Sequence, residues 1–270
     1  MKVVKTPDEV RAWRASAGRL ALVPTMGFLH EGHLSLMREG VRRAGTCAAT
    51  IFVNPTQFGP KEDLSRYPRD LEGDLAKCES AGVALVYAPE PATVYPKGYQ
   101  TYVTVEDVSQ GLDGASRPGH FRGVATVVTK LLALFRPDVA LFGEKDYQQL
   151  QVIKALARDL ELGVEIVGQP TVRERDGLAM SSRNAYLSAE DRQRGLGLSR
   201  GLFKARDSKE KDVAKLLELI RSELKDVRED YVAIVDAETL EPIERVERKA
   251  RALVAAFVGS TRLIDNVEIS

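Results

Sequence analysis

Short apolar runs and longer segments of helical spacing take turns along the first two thirds of the chain. Leu20-Ala21-Leu22-Val23, Thr46 to Val53, Val83 to Tyr87, Val139-Ala140-Leu141-Phe142 and Val164 to Val167 are nearly continuous apolar runs of strand length. Continuous rather than alternating runs predict strands covered on both faces, as in a parallel sheet. Between them, Leu34 to Val41, Leu71 to Ala81, Val124 to Phe135 and the segment up to about Leu160 carry apolar residues at helical spacing. Val124, Val127, Val128, Leu131, Leu132 and Phe135 make one buried helix face. An earlier helix opens at Thr6-Pro7-Asp8-Glu9, with Thr6 as N-cap, Pro7 in the first turn and Glu9 three residues after the cap. It runs to about Ser16 and stops by Gly18. The order over residues 20 to 167 predicts an α/β fold: a Rossmann-like, mostly parallel sheet.

The spacing changes near residue 172. Val172 to Ala179 reads as a hairpin or loop turning at Asp176-Gly177. Ser188 caps a helix to about Ala205, and Lys209 to Arg228 reads as a charged amphipathic helix. Tyr231 to Val235 and Leu253 to Val258 read as strands joined by a loop and a helical stretch, and Arg262 to Asn266 begins a last strand. The expected division is residues 1–171 as the Rossmann-like domain and 172–270 as a smaller C-terminal α+β domain. Lys61 to Asp70 reads as a polar loop, and Thr101 to Val105 as a weak edge strand.

Composition narrows the function. Lys plus Arg and Asp plus Glu balance at 39 each, so no basic excess points to nucleic acid or to a membrane surface. The two cysteines, Cys47 and Cys78, form no motif and are expected as buried, reduced thiols. No apolar run has the length of a membrane span, and Met1 to Asp8 shows no secretory h-region. The expectation is a soluble, cytoplasmic protein.

The chemistry gathers at Pro24-Thr25-Met26-Gly27-Phe28-Leu29-His30-Glu31-Gly32-His33. This stretch reads as strand end, glycine-marked turn and helix start. A helix start offers unpaired N–H groups and the positive end of a dipole, a site for phosphate. Two of the chain's three histidines, His30 and His33, are three apart and share a helix face. No neighbouring Cys-x-x-Cys or third histidine supports zinc. Neither G-x-G-x-x-G nor G-x-x-x-x-G-K-[ST] is present, so a dinucleotide dehydrogenase and a P-loop enzyme are not supported.

Ligands of open α/β sheets bind beyond the carboxyl ends of the strands. Asn54 and Gln57 follow one strand; the alternative is an Asn-Pro turn with a solvated glutamine. Gly143-Glu144-Lys145-Asp146 follows another, with Lys145 set to meet an anion and Gln149 one turn into the next helix; a charged helix cap is the alternative. Gly111 to Gly123 reads as a glycine-rich, basic loop, and its stretch Arg117 to Gly123 is either a mobile lid over phosphate or a turn with two solvated arginines. Met180-Ser181-Ser182-Arg183 offers two hydroxyls and a guanidinium to a triphosphate.

An H-x-G-H after a first strand resembles the nucleotidylyltransferase superfamily. With Phe52 to Gly59, Tyr67-Pro68-Arg69, Ser116 to Gly123, Gly143 to Gln149, Met180 to Asn184 and Leu263 to Asn266, the chain resembles the pantothenate synthetase (pantoate–β-alanine ligase) family over nearly its whole length. The resemblance implies ATP, (R)-pantoate and β-alanine as substrates, magnesium travelling with the triphosphate, a pantoyl-adenylate intermediate, and a homodimer with the second domain as a cover. It implies an ATP site lined by Met26, Gly27, Phe28, Leu29, His30, Glu31, Gly32, His33, Gly143, Glu144, Lys145, Asp146, Val172, Met180, Ser181, Ser182 and Arg183. His30, His33, Lys145 and Arg183 would carry catalysis; Gln57 and Gln149 would bind pantoate, and Gln57 also β-alanine. Two features depart from the pattern: the segment around Arg206 to Lys209 is short, and Gly73 stands where some relatives carry an acidic residue, so no metal ligand is assigned there. The competing readings are another H-x-G-H nucleotidylyltransferase and a nucleotide-binding regulator that has lost catalysis.

Overall fold

The computed structural model describes residues 1–60 and 62–270; Lys61, first residue of the expected polar loop, lies outside them. Its elements run β1 (Lys2–Val4), α1 (Pro7–Arg14), β2 (Leu20–Thr25), α2 (Glu31–Ala44), β3 (Thr46–Ile51), α3 (Leu71–Ser80), β4 (Leu85–Tyr87), α4 (Pro91–Val94), α5 (Leu112–Ser116), α6 (His120–Phe135), β5 (Val139–Gly143), α7 (Tyr147–Asp159) and β6 (Glu165–Gln169). There follow α8 (Ala189–Arg206), α9 (Val213–Arg221), β7 (Arg228–Asp236), β8 (Ala250–Val258) and β9 (Thr261–Ile269).

The chain divides into two compact units: residues 1–144 with 152–170, and residues 145–151 with 171–270. In the first unit six strands form a sheet in the order β1-β4-β3-β2-β5-β6, every pair parallel. The sequence of strands reverses direction between β2 and its two neighbours β3 and β5, so the crevice at the carboxyl end of β2 is a topological switch point. The continuous apolar character of β2 and β3 follows from cover on both faces. Ala21, Val23, Cys47 and Ala49 pack with Leu36 and Met37 of α2, while α6 packs against β2 and α1 from elsewhere in the unit. Cys47 and Cys78 are free and buried, and burial pushes both thiols up to about 12.

The capping box of α1 forms as the sequence predicts: Thr6 Oγ1 accepts from the Glu9 N–H and Glu9 Oε2 accepts from the Thr6 N–H. Two expectations fail in this unit. Thr101 to Val105 forms no strand; among its contacts, the Val103 N–H donates to Thr126 Oγ1 at 3.0 Å and the Arg122 guanidinium lies over the Tyr102 ring. The glycine-rich segment from Gly111 is not a loop to Gly123, because α5 occupies Leu112–Ser116 and α6 starts at His120. Strand β1 carries no apolar run long enough to be read; it exists by pairing with β4.

In the second unit β7, β8 and β9 form an antiparallel sheet. Leu198, Leu202, Leu216 and Ile220 of α8 and α9 share a core with Val232, Ile234, Ala252 and Val254. The expected turn at Asp176-Gly177 is present: Arg173 and Ala179 pair as an antiparallel bridge, and the Gly177 N–H donates to the Glu174 carbonyl. Ser188 caps α8 through the Asp191 N–H. Of the stretch from Lys209 to Arg228 only Val213–Arg221 is helical, and residues 237–249 hold turns and bridges but no helix.

Candidate active site

The strand β2 ends at Thr25, whose Oγ1 donates to the Thr50 carbonyl at 2.6 Å and accepts from the Gly27 N–H at 3.2 Å. The turn that follows holds Gly27 at φ +84° and Phe28 at φ +51°. Gly27 is required twice over: by that backbone, and because a Cβ there would lie 2.9 Å from Asp74 Oδ2. Asp74, 1% exposed, reaches from α3 and accepts the N–H groups of Phe28 and Leu29, both at 2.7 Å. Burial raises its carboxyl above the ordinary range, and those two N–H groups offset part of the rise. Lys77 Nζ donates to the Leu29 carbonyl one turn further along α3. The turn between β2 and α2 is thus shaped by a helix 45 residues away in sequence.

His30 is the N-cap of α2 and His33 its third residue. His33 Nδ1 accepts the His30 backbone N–H at 3.3 Å, the place a glutamate takes in a capping box. An accepting Nδ1 leaves the ring proton of a neutral His33 on Nε2. The two rings lie 4.1 Å apart, tilted by 40°. The helix start therefore presents imidazole edges together with backbone N–H groups and the positive end of the dipole, an arrangement suited to phosphate. Glu31 is exposed and pairs with Arg38.

Beyond the end of β3, residues Pro55–Gln57 form a single 3-10 turn. Asn54, 1% exposed, uses its amide in four hydrogen bonds. Nδ2 donates to Gln57 Oε1 at 3.0 Å and to the Gly123 carbonyl at 3.1 Å, and Oδ1 accepts from Tyr95 Oη at 2.8 Å and Thr56 Oγ1 at 2.9 Å. Asn54 is saturated; its work is to orient Gln57. Gln57 Nε2 lies 3.2 Å from Met26 Sδ, which brings the glutamine to the histidine turn. Its amide has capacity for one more acceptor and one more donor, the pattern that holds a hydroxyl or a carboxylate.

In the second unit Lys145 lies in the 3-10 turn Glu144–Asp146, its ammonium 3.8 Å from Asp146 Oδ2. Gln149 is half-buried in the first turn of α7. The Lys145 carbonyl accepts from Asn266 Nδ2 at 2.8 Å, and Asn266 Oδ1 accepts from Arg251 Nε at 2.6 Å. The Arg251 guanidinium stacks 4.1 Å from the centroid of the Tyr147 ring. Neighbouring Asp265 takes Arg173 on both oxygens, at 2.6 and 2.9 Å. Val172 and Met180 meet across the hairpin, the Met180 N–H donating to the Val172 carbonyl. Ser181 caps the turn Ser182–Tyr186 by accepting the Arg183 N–H. Gly143 is the last residue of β5, in the first unit.

The comparisons with known proteins decide the family. The pantoate-beta-alanine ligase family model matches residues 2–268. The chain belongs to the pantoate–β-alanine ligase family. A pantothenate synthetase of Myxococcus xanthus (strain DK1622) is 66% identical over 279 residues, covering 99% of this chain and 96% of the relative. The crystal structure of pantothenate synthetase from Thermus thermophilus is 48% identical with a TM-score of 0.95, covering 99% of both chains. That of the pantoate-beta-alanine ligase from Francisella tularensis, complexed with beta-gamma ATP and beta-alanine, is 31% identical with a TM-score of 0.83, covering 99% of this chain and 97% of the other. The protein is an enzyme of this ligase family, and the six-stranded parallel sheet with a small antiparallel sheet is the family's architecture. Among the described residues no helix is long and apolar enough to cross a membrane.

Sequence reasoning passed over Asp74, although it weighed the adjacent Gly73. It also left out Tyr95, His120, Arg251 and Asn266. The one available signal was placement: Asn266 and His120 lie in blocks of family resemblance, yet neither carries a pattern of its own.

Proposed function

We propose that the enzyme condenses (R)-pantoate with β-alanine in two steps through pantoyl-adenylate. A carboxylate oxygen of pantoate attacks the α-phosphorus of ATP; the bond from that phosphorus to the bridging oxygen breaks and pyrophosphate leaves. The β-alanine amine then attacks the acyl carbon and loses a proton, the bond to the AMP oxygen breaks, and pantothenate and AMP are released. The carboxylate is already a nucleophile, so the protein's work is positioning and charge stabilisation.

The observation that carries this reading is the meeting of Gln57 with Met26, which sets an amide for a hydroxy acid beside a helix start suited to phosphate. In this reading residues 26–33 line the ATP site with Gly143, Glu144, Asp146, Val172, Met180, Ser181 and Ser182. His30 and His33 bind phosphate, with the Nε2 proton of His33 as the donor. Lys145 and Arg183 offset negative charge on the α- and β-phosphates, and Gln57 and Gln149 hold pantoate. The Francisella relative, complexed with beta-gamma ATP and beta-alanine, supports both substrate classes.

Magnesium fits as a companion of the nucleotide. Among the described residues no three His, Cys, Asp or Glu side chains group as a cage, and both oxygens of Asp74 are taken by backbone N–H groups. Magnesium characteristically keeps several waters and is held largely by substrate phosphates. Bound so, it would spread the triphosphate's charge.

The test is release of pyrophosphate and AMP from purified enzyme with ATP and magnesium. Sustained AMP release only with pantoate and β-alanine together, and at most one equivalent of pyrophosphate with pantoate alone, is the expected result. Continued pyrophosphate release without β-alanine would make the protein a simple nucleotidylyltransferase, and silence from a folded protein that binds ATP would make it a regulator.

A further inference from the structure

The segment Arg117–Gly123 is packed onto the backbone of Gln57. His120, 7% exposed, sets Nδ1 2.9 Å from the Gln57 carbonyl and Nε2 3.0 Å from Arg117 Nη1. The carbonyl can only accept and the guanidinium can only donate, so the imidazole is neutral, with its proton on Nδ1. Arg117 grips Glu62 with both arms, Nε to Oε1 at 2.7 Å and Nη2 to Oε2 at 2.8 Å. Arg117 Nη2 also points at the Gln57 carbonyl, at 3.5 Å. Three residues on, Gly123 lies so close that a Cβ would meet the Thr56 carbonyl oxygen at 2.4 Å and the Gln57 nitrogen at 2.6 Å. Its own carbonyl accepts from Asn54.

We propose that His120 and Arg117 are positioning residues for the acid substrates: through a neutral imidazole they lock the main chain at Gln57, and so the aim of its side-chain amide. This rests on the reading of Gln57 as the residue that holds pantoate and β-alanine. The amide of Gln57 is held by Asn54 and its peptide by His120, and Asn54 joins the two by donating to the Gly123 carbonyl as well. A buried main-chain carbonyl with one strong donor keeps its place, and a glutamine that binds two different acids in turn needs its place kept. The segment Arg117–Gly123 is a brace rather than a lid, since Arg117 is spent on Glu62 and His120 on the glutamine it supports. Burial, then the neighbouring Arg117 charge, holds His120 down at about 4, which keeps the ring neutral at working pH and its Nε2 able to accept from Arg117.

The experiment compares KM for pantoate, β-alanine and ATP in His120→Ala, His120→Asn, Glu62→Gln, Gln57→Ala and the double variant Gln57→Ala/His120→Ala, each checked for folding by thermal denaturation. Asparagine puts an amide N–H where Nδ1 stood. His120→Ala is expected to raise both acid KM values about tenfold or more, with the ATP KM within about twofold; His120→Asn restores them to within about threefold of wild type. Glu62→Gln shifts the same two constants less, and it tests the brace without emptying the core. The double variant is expected to be no worse than Gln57→Ala alone. Equal rises in all three KM values, or a double variant that loses the product of the single losses, would overturn the proposal. If Gln57→Ala by itself leaves both acid KM values unmoved, the reading of Gln57 fails and the proposal falls with it.

Discussion

Asp74 holds Phe28: its Oδ2 takes the Phe28 N–H at 2.7 Å while Phe28 sits at φ +51°, a backbone region costly for a bulky residue. Its Oδ1 takes the next N–H along, that of Leu29. Asp74→Asn turns one of those acceptors into a donor facing an N–H. The loss is expected to be about 1–3 kcal/mol of stability, with a weaker affinity for ATP. Chemical denaturation and ATP titration of the variant check both; unchanged values would show that the turn keeps its shape without the carboxylate.

The tautomer of His33 separates its two uses. Asparagine at position 33 keeps an acceptor for the His30 N–H but ends short of Nε2, while glutamine reaches the Nε2 position. His33→Asn is therefore expected to retain the cap and lose about 100- to 1,000-fold in kcat, the usual worth of one donor aimed at developing charge. His33→Gln, whose amide can either accept the His30 N–H as in a capping box or reach the Nε2 position, should keep more activity than His33→Asn, with stability within about 1 kcal/mol of wild type. A steady-state assay beside a urea titration reads the two effects apart.

Lys145→Ala should slow pyrophosphate release by about 10³-fold or more, as for a group that acts on transition-state charge, with ATP affinity much less affected. An equal loss in affinity and rate would contradict that role.

The carbonyl of the same residue is held by Asn266, which Arg251 holds in turn. Asn266→Ala leaves that carbonyl and the buried guanidinium short of a partner, at about 1–3 kcal/mol. The rate is expected to fall about 10- to 100-fold, and combining Asn266→Ala with Lys145→Ala should add little to Lys145→Ala alone. Single-turnover pyrophosphate release measures it.

His120 ties stability to pH. Its folded value is lowered from 6.5 to about 4 by burial and the Arg117 charge, against the favourable charges of Asp113 and Glu62. An unfolded chain binds the proton that the folded one refuses, so this contribution is full above about pH 6.5 and is lost progressively as pH falls towards 4. At about 1.4 kcal/mol per unit the whole span is about 3 kcal/mol. Urea unfolding at pH 7.5 and 4.5 should show a smaller difference in His120→Asn than in wild type by about that amount.

Much of the first unit was legible because the signals for it are local. The run Leu20 to Val23, the glycine at position 27 and the helix start at His30 lie within a dozen residues, and each obeys a backbone rule. The errors came where tertiary contacts overrode composition. Gly111 to Gly123 looks like a loop because its glycines are read as flexible, whereas Gly123 is there for a close approach to Thr56 and α6 begins before it. The charged stretch from Lys209 has helix-favouring residues throughout, yet only Val213–Arg221 is helical: Asp212 before it bridges to Arg245, and turns follow it up to β7.

By itself the sequence determined the alternation of strand and helix, the phosphate-suited turn before α2, the pair His30 and His33, and membership of a ligase family through the order of its blocks. Period and turn chemistry act over a few residues, so a linear pattern records them in full. Only the tertiary structure decided what stands behind each of those groups: Asp74 under the turn, Asn54 and His120 on the two sides of Gln57, Asn266 and Arg251 behind Lys145. Apart from Asn54 with Gln57, these pairings join residues 15 to 121 positions apart. They arise because within each unit a sheet and its helices bring together residues distant in sequence, and each buried polar atom must find a partner there.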